Sequence, residues 1–394
     1  MIREAGTAAK WLTLGLVFVL AACSSGEAHP PDYSAPRYLR GAYITAGTLE
    51  DSSSLAVAAR TFDSLEVNSF VIDLKDEKGV RYETAYRLAR DSRAPRVTGY
   101  DLGERVKQAH TMGYHVVGRI VVFKDSGLAE LRPEWAIHRP NGKLWRDKGG
   151  HAWLSPWESR VCKHNLKVAI EAVSMGVDEI ALDFFRFPYE RADLPPQVHP
   201  KQDDDRSRGD AITNCLRRMA EELRERGVKV AVIVPSSSMT DVEGDAGVGL
   251  QWESLLGAVD RVLPRVFPSE MPPPKRGLHP EKLPYQTVSR ALRLGVTRLM
   301  RVTQDGRRAA RVVPVVQAFT DDPRYTYGPV RLGTQLQAVY ECGLNDWLLW
   351  NPRSDYGRFR GALKADARAR ARPLVPTAAD WAEADLAPEP DSVR

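Results

Sequence analysis

A pattern that repeats eight times constrains this chain more than any other feature: a short apolar run, a polar loop and an amphipathic helix. Glycines mark the ends of the predicted helices, at Gly113, Gly176, Gly227, Gly295 and Gly343, and a glycine just past the last turn is a helix stop signal. Eight strands that alternate with helices predict a single (β/α)8 TIM barrel. An open, doubly wound sheet is the alternative, but no glycine-rich phosphate loop follows the first strand.

The apolar runs and the helical patterns give predicted boundaries. The predicted strands are Gly41–Ala46, Val67–Leu74, His115–Phe123, Glu179–Phe184, Lys229–Pro235, Arg261–Phe267, Arg311–Ala318 and Trp347–Trp350. The predicted helices are Ser52–Leu65, Tyr100–Met112, Glu158–Met175, Ala211–Arg226, Gln251–Ala258, Tyr285–Leu294 and Val330–Cys342. Long loops follow the third, fourth and sixth strands, at Lys124–Ser155, Tyr189–Asp210 and Pro268–Pro284. All three lie after strands, on the face where a barrel builds its site.

Composition and motifs exclude several classes of partner. The 394 residues carry a formal net charge of only +5, and basic and acidic residues are interspersed, so we expect no nucleic-acid binding. Neither a GxGxxG nor a GxxxxGK[ST] motif is present, so we expect no nucleotide. The histidines show no HExxH or paired spacing. We therefore expect neither a metal ion nor a cofactor.

The first 23 residues resemble a bacterial lipoprotein signal. Arg3 and Lys10 form a basic start, and an apolar stretch too short to span a bilayer ends in Leu20-Ala21-Ala22-Cys23. The resemblance implies that Cys23 becomes a lipidated N-terminus, anchoring the protein to a membrane of the bacterial cell envelope. By analogy with such lipoproteins, Ser24 suggests the outer membrane, and the expected location is the outer membrane or a periplasm-facing site. The alternative is a plain signal peptide with an incidental cysteine.

The predicted organisation has four parts: residues 1–22 as the signal peptide, 23–37 as a flexible tether, 38–370 as the barrel and 371–394 as a disordered tail. The last part is rich in alanine, proline and acidic residues. Three cysteines remain, Cys162, Cys215 and Cys342, each inside a helical pattern. Because three cysteines cannot all pair, we expect buried free thiols.

Polar residues gather where the predicted strands end. The fourth strand ends in Asp183, and aromatic residues and Arg186 follow it in the stretch Asp178–Pro188, DEIALDFFRFP. A carboxylate at the carboxyl end of a barrel strand is where barrel enzymes keep catalytic groups. The other candidates at strand ends or in the following loops are Asp73, Lys75, Arg119, Lys124, Trp145, Glu270, Gln317 and Trp350.

Carboxylates combined with aromatic platforms are what a glycosidase requires. One carboxylic acid protonates the leaving oxygen, while a carboxylate attacks the anomeric carbon or activates water. Indole faces stack on sugar rings. Four tryptophans near the loop after the third strand, Trp135, Trp145, Trp153 and Trp157, either line a cleft or pack in the core.

Several stretches together resemble a family of glycosidase-like bacterial TIM-barrel proteins, distantly related to alpha-amylase-like hydrolases. The resemblance covers roughly residues 40 to 359. It is carried by RGAYITA at 40–46, VIDLKDEKG at 71–79, GRIVVFKD at 118–125, PEWAIHRPNGKLWRD at 133–147, DEIALDFFRFP at 178–188, GLQWESL at 249–255, VDRVLPRVFPSE at 259–270 and WLLWNP at 347–352. It implies a (β/α)8 barrel with glycosidase activity.

The same resemblance implies roles for the candidate residues. Asp183 matches an acidic position that serves as nucleophile in related barrels, and Asp73 matches a second acidic position, catalytic or sugar-binding, with an ion pair to Lys75 as its structural alternative. After the sixth strand the chain departs from the family: Arg265 replaces a methionine, Phe267 replaces a tyrosine and Glu270 replaces a histidine. Glu270 either alters specificity or abolishes activity, or supplies a general acid.

These expectations define two functions of different classes. The first is a glycoside hydrolase acting on a polysaccharide or a cell-envelope glycan, with Asp183, Asp73 and Glu270 as catalytic candidates. Its substrate-binding candidates are Lys75, Arg119, Lys124, Arg186, Trp145, Gln317 and Trp350. The second is a non-catalytic glycan-binding surface lipoprotein on the same scaffold, favoured by the altered loop after the sixth strand. The carboxylate separation, which decides between retention and inversion, does not follow from the sequence.

Overall fold

The computed structural model describes residues 35–364, apart from 64, 95–96, 98, 202–205, 274–277 and 305. The predicted signal peptide, most of the predicted tether and the predicted tail lie outside the described residues. The domain limits at both ends therefore stay predictions.

Ten strands form one sheet: β1 Arg40–Ile44, β2 Ser69–Asp76, β3 Gly79–Val80, β4 His115–Val121, β5 Glu179–Asp183, β6 Lys229–Pro235, β7 Arg261–Arg265, β8 Arg311–Val312, β9 Val315–Gln317 and β10 Trp347–Trp350. β1 pairs in parallel with both β2 and β10, which closes the sheet. The remaining neighbours around the barrel are also parallel, and only the short β3 is antiparallel, against the end of β2. The predicted (β/α)8 barrel is thus confirmed.

Helices surround the barrel. They are α1 Ala46–Glu50, α2 Ser52–Thr61, α3 Arg87–Asp91, α4 Leu102–Thr111, α5 Ser126–Leu131, α6 Ser159–Ser174, α7 Arg208–Arg224, α8 Ser237–Thr240, α9 Trp252–Ala258, α10 Pro284–Gln304, α11 Pro329–Glu341 and α12 Arg360–Lys364. Short 3-10 turns lie at Pro133–Trp135, Pro268–Glu270, Pro280–Lys282, Pro323–Tyr325 and Gly357–Phe359. Among the described helices, none combines the length and the apolar composition needed to cross a membrane.

The core has two layers because strand side chains alternate between the barrel interior and the helices. The outer layer packs the strands against the helices and contains most of the buried apolar residues. The inner layer fills the barrel with small and medium side chains, among them Val71, Val117, Ala181, Ala231 and Leu263. This apolar layer separates the polar side chains at the carboxyl ends of the strands from a buried ion pair between Glu179 and Arg261 at the amino ends.

The predicted glycine stops are right at four positions and wrong at one. Gly113, Gly176, Gly227 and Gly343 follow helices with φ between 76° and 98°, a left-handed conformation that favours glycine. Gly295 instead lies inside α10, which continues to Gln304. A Cβ there would approach the sulfur of Met239 to 2.6 Å. Close packing, rather than a helix stop, therefore explains this glycine.

The seventh predicted strand is divided. Residues 311–318 form two short segments, β8 and β9, with Val313 and Pro314 between them. Proline has no N–H to donate to a ladder, so a continuous central strand is disfavoured there. β8 pairs with β7, and β9 pairs with both β7 and β10.

The predicted free thiols are wrong for two of the three cysteines. Cys162 on α6 and Cys215 on α7 form a disulfide, with Cα atoms 6.1 Å apart. The two helices flank β5 in sequence and pack side by side, which brings together cysteines 53 positions apart. Cys342 is the free cysteine among the described residues.

Reduction of this disulfide is expected to lower the free energy of unfolding by about 4 kcal/mol, because a cross-link closing a loop of this length restricts the unfolded chain. Urea denaturation with and without dithiothreitol measures the difference. The variant Cys162→Ala/Cys215→Ala serves as control, since dithiothreitol has no disulfide left to reduce in it. Equal stability of the oxidised protein and this variant would contradict the expected role.

Candidate active site

A cluster of three charged side chains lies at the carboxyl end of the barrel. Asp73 on β2, Arg119 on β4 and Asp183 on β5 each follow, by two positions, a residue of the inner apolar layer, so their side chains enter the barrel above that layer. Asp73 and Arg119 are directly paired in the sheet register. All three are at least 96% buried.

Arg119 joins the two carboxylates. Its Nη1 lies 2.6 Å from Oδ1 of Asp73. Its Nε and Nη2 lie 2.8 Å and 2.7 Å, respectively, from Oδ2 of Asp183. Because one planar guanidinium contacts both acids, the two carboxyl groups are less than ~10 Å apart, which does not exceed the upper limit for glycoside hydrolysis. Two buried carboxyl groups therefore share one buried cation.

Aromatic side chains form one wall of the cluster. Tyr43 of β1 and Trp350 of β10 stack with ring centroids 3.9 Å apart. The Arg119 guanidinium lies 5.2 Å from the Trp350 centroid and 5.8 Å from the Tyr43 centroid. Trp350 is half-buried, so it presents an aromatic surface beside the buried charges.

Tyr43 also donates a hydrogen bond of 2.5 Å from its hydroxyl to Oδ2 of Asp73. Burial and the neighbouring Asp73 carboxylate raise the pKa of Tyr43 well above its usual value, so it remains a donor. Burial raises the pKa of Asp73, and the favourable contacts with Arg119 and Tyr43 only partly offset this effect. Burial alone would lower the pKa of Arg119, but Asp183 and Asp73 outweigh it and raise that pKa well above its usual value.

Asp183 receives a third donor from the backbone. The N–H of Phe184 donates to Oδ1 of Asp183 at 2.7 Å. Phe184 has φ = 47°, a left-handed conformation that is uncommon for a bulky side chain and that clusters at functional sites. This conformation fits the abrupt end of β5, where the chain leaves the barrel.

Three cations surround the Phe184 ring. The charged centres of Lys124, Arg186 and Arg265 lie 4.9 Å, 5.5 Å and 5.7 Å from its centroid. Lys124 also lies 3.3 Å from Asp147. Burial alone would raise the pKa of Asp147, but hydrogen bonds from the Trp153 indole and the His151 N–H, together with Lys124, lower it.

The structure does not bring Lys75 to this cluster. A β-bulge interrupts β2, so that Asp73 pairs with Arg119 but Lys75 pairs with Ile120 of the outer layer. The bulge inserts an extra residue into β2, so the Lys75 side chain points toward the outer layer and not into the barrel interior with Asp73. Lys75 is completely buried, and its amino group lies 2.8 Å from Asp125 and 2.5 Å from the Val121 carbonyl. The ion pair of Asp73 is therefore with Arg119, not with Lys75.

The four loop tryptophans are core residues. Trp145 is 1% exposed and donates its indole N–H to the Pro195 carbonyl at 2.8 Å. Trp135, Trp153 and Trp157 are also buried. Together they pack the long segment after β4, so the structure places Trp145 away from a substrate surface.

Gln317 and Glu270 lie beside the cluster rather than in it. Gln317 is fully buried, accepts the Ser269 N–H at 3.1 Å and donates to Glu281 at 3.3 Å. It therefore holds the loop after β7. Glu270 lies in that loop with its side chain 47% exposed and 3.6 Å from Arg265. Among the described residues, no contact joins Glu270 to Asp73, Arg119 or Asp183.

One group of described residues offers a set of metal ligands. Ligand atoms of His279, Glu281 and Asp322 lie within 4.8 Å of one another, although sequence spacing predicts no metal. Asp322 is already engaged by Arg324 through both oxygens. These three side chains could therefore offer ligand atoms to a cation, and nothing further follows from their proximity.

Three residues of the site were not among the candidates named from sequence. Tyr43 lies in the stretch RGAYITA, and alternation along the first strand is the signal that could have indicated its place in the barrel interior. Arg265 was named from the sequence only because it stands where the resembled family has a methionine. Glu77 lies beyond the end of β2, half-buried, and its carboxylate raises the pKa of Asp73, Tyr43 and Arg119.

A parallel barrel with two carboxylates and an arginine at the carboxyl ends of its strands has the architecture of a barrel enzyme, with its site on that face. The sequence profile of the family described as "Putative glycosyl hydrolase domain" matches residues 41–356. The chain belongs to this family, which confirms the resemblance drawn from its motifs. No curated protein sequence matches the chain.

Two solved structures share the fold, and a third is similar in sequence over part of the chain. The PgaB (BpsB) glycoside hydrolase domain from Bordetella bronchiseptica has a TM-score of 0.56 at 13% identity, covering 86% of this chain and 100% of that chain. Alpha-L-fucosidase isoenzyme 2 from Paenibacillus thiaminolyticus has a TM-score of 0.52 at 15% identity, covering 84% of this chain and 49% of that chain. A hypothetical protein from Ruminiclostridium thermocellum ATCC 27405 is 29% identical, covering 48% of this chain and 95% of that chain, with a TM-score of 0.43. At these identities the first two show the fold alone.

Proposed function

We propose that the protein is a glycoside hydrolase that acts on a polysaccharide or cell-envelope glycan by carboxylate catalysis. The observation that carries the proposal is the placement of Asp73 and Asp183 on one guanidinium at the open end of the barrel. Membership of a glycosyl hydrolase family supports it.

The environments of the two acids favour different roles. Two N–H groups, Nε of Arg119 and the backbone of Phe184, donate to Asp183, and a second guanidinium nitrogen lies 2.7 Å from it, an environment that favours a carboxylate. Asp183 is therefore the nucleophile or the stabiliser of positive charge at the anomeric carbon. Burial raises the pKa of Asp73, which suits a group that must carry a proton to the leaving oxygen. The Trp350 surface is positioned to stack on a sugar ring.

The direct test is a screen of the full chain against a panel of polysaccharides, with release of reducing ends as the measurement. At least one glycan is expected to be hydrolysed. Binding without release of reducing ends from any glycan that binds would favour the second candidate below.

The second candidate is a non-catalytic glycan-binding protein. Its supporting observation is that Arg119 and Tyr43 already occupy oxygens of both carboxylates. In such a protein the cluster would be a structural brace beneath the Trp350 surface. Glycan binding that is unchanged in Asp183→Asn, with no turnover by the wild type, is the result that this candidate predicts.

We further propose that the protein is a lipid-anchored protein of the bacterial cell envelope, attached through Cys23. The sequence around Cys23 motivates this location. The disulfide between Cys162 and Cys215 supports it, because disulfides persist in oxidising compartments such as the periplasm. Residues 23–37 would then act as a tether that holds the barrel away from the membrane.

A cell grown with a radioactive fatty acid is expected to incorporate label into the wild-type protein and none into Cys23→Ala. Acyl chains hold a protein at a membrane because each buried methylene contributes about 0.8 kcal/mol. Immunoprecipitation followed by autoradiography measures the label. The variant Cys342→Ala is the matched control and retains the label; label that survives Cys23→Ala would refute the anchor.

A further inference from the structure

Arg186 is a buried cation that makes no direct ion pair with a carboxylate among the described residues. The residue is 8% exposed, and its NH1 group donates to the Phe187 carbonyl at 2.8 Å. In the part of the chain that the structure describes, no carboxylate forms a direct ion pair with this guanidinium, and Asp183 and Asp147 favour its charged form only from a greater distance. Burial outweighs these carboxylates and lowers the pKa of Arg186 to about 10. A buried charge without a direct partner is unfavourable, so a partner from outside the chain would stabilise it.

Aromatic rings hold this guanidinium in place. It lies 5.2 Å from the Trp153 centroid, 5.5 Å from the Phe184 centroid and 4.6 Å from the Tyr189 centroid. Ring faces attract a cation and fix its orientation, but they carry no net charge to neutralise it. The arrangement presents a rigid fork of donors rather than a flexible surface charge.

Arg265 adds a second incompletely satisfied cation. Its guanidinium lies 5.7 Å from the same Phe184 ring, and its Nε is buried without a hydrogen-bond partner among the described residues. Among the described residues, its ion pair is with Glu270, at a long distance of 3.6 Å, and the Glu270 side chain is 47% exposed. Both guanidinium groups lie close to the Phe184 centroid, at 5.5 Å and 5.7 Å, and the like charge of Arg265 disfavours the charged form of Arg186.

These cations adjoin the proposed catalytic carboxylate. Phe184, the ring they share with Lys124, directly follows Asp183 and donates its N–H to it. Substituents of a sugar bonded at Asp183 would therefore lie on the side of the barrel rim that carries Arg186, Arg265 and Lys124, the last of which is already paired with Asp147 at 3.3 Å. We call these three residues around Phe184 the cationic subsite.

We propose that the cationic subsite binds an oxyanion carried by a sugar unit of the substrate, so that the protein selects acidic glycans. Arginine forks bind planar carboxylates through two parallel hydrogen bonds, and they bind sulfate esters by the same donors. This inference rests on the proposed function, because it assigns the substrate class of the same site.

The test measures binding of the full chain to polygalacturonate, alginate and hyaluronate, each compared with its carboxyl-reduced form, and to dextran sulfate compared with dextran. Affinity electrophoresis gives the dissociation constants. At least one charged polymer is expected to bind about tenfold or more tightly than its neutral counterpart, as loss of a charge-assisted hydrogen bond requires. Arg186→Gln and Arg265→Gln are each expected to reduce that preference about tenfold.

Arg308→Gln is the matched control, because it removes the same charge from a side chain that is 84% exposed and paired with Asp260 outside the cationic subsite. Its preference is expected to equal that of the wild type. Circular dichroism checks the fold of each variant, and Arg265→Gln decides the outcome if Arg186→Gln unfolds. Equal binding of charged and neutral polymers, no binding to any charged polymer, or equal effects of Arg186→Gln and Arg308→Gln would each overturn the inference.

The two proposals fail in different ways. Charge-selective binding without release of reducing ends contradicts hydrolysis and supports the cationic subsite. Hydrolysis of neutral glycans at the same rate as their acidic counterparts contradicts the cationic subsite and supports hydrolysis.

Discussion

Replacing Asp183 by asparagine is expected to leave the protein folded and to reduce glycan hydrolysis by about 10³-fold or more. Asparagine has the same shape but no negative charge, so it cannot attack or stabilise a cationic anomeric carbon. Arg119 keeps Asp73 as a partner in this variant, at 2.6 Å in the native cluster. Initial rates of reducing-end release on the glycan that the wild type hydrolyses give the measurement.

Asp193→Asn is the matched control for this experiment. Asp193 is an exposed carboxylate paired with Arg191 in the loop after β5, and the same chemical change there is expected to leave the rate unchanged. Glycan affinity of Asp183→Asn should remain within a few-fold of the wild type, which separates catalysis from binding. Full activity in Asp183→Asn would refute the catalytic assignment.

Replacing Arg119 by methionine is expected to lower the free energy of unfolding by about 3–5 kcal/mol, because it leaves two buried carboxylates without their shared cation. Methionine retains much of the side-chain volume, so the loss reports charge rather than a cavity. Urea denaturation at neutral pH measures the change. Arg87→Met, at an 86% exposed side chain paired with Asp91, is expected to change stability by less than about 1 kcal/mol.

The loss in Arg119→Met is expected to shrink as the pH falls from 7 toward 4. Burial already raises the pKa of Asp73 in the native protein. Without the cation, the folded state binds protons more strongly than the unfolded state, and stability then rises as pH decreases. A loss of stability that is independent of pH would show that Arg119 acts through packing instead of charge.

The barrel and its charged cluster followed from the sequence because both depend on short-range patterns. Eight apolar runs separated by helices define the strands, and a parallel barrel places every strand end on one face. Asp73, Arg119 and Asp183 could therefore be placed together although they are up to 110 positions apart in the chain. The match to a family profile confirms the resemblance that their motifs carry.

The errors arise where packing between distant segments decides the outcome. The bulge in β2 depends on how that strand pairs with β4, so strict alternation placed Lys75 on the wrong side. Trp145 lies in a polar stretch, but its side chain is buried and its indole N–H donates to the Pro195 carbonyl in the loop after β5. Gly295 resembles a helix stop, and only the nearby Met239 side chain explains it.

The disulfide has a practical consequence for producing the protein. The segment it encloses, residues 162–215, carries β5, Asp183, Phe184 and Arg186. Material made in a reducing cytoplasm would leave this segment without its cross-link, and the segment holds both a proposed catalytic group and part of the cationic subsite. Recombinant production by secretion into an oxidising compartment is therefore the appropriate route before any assay is judged negative.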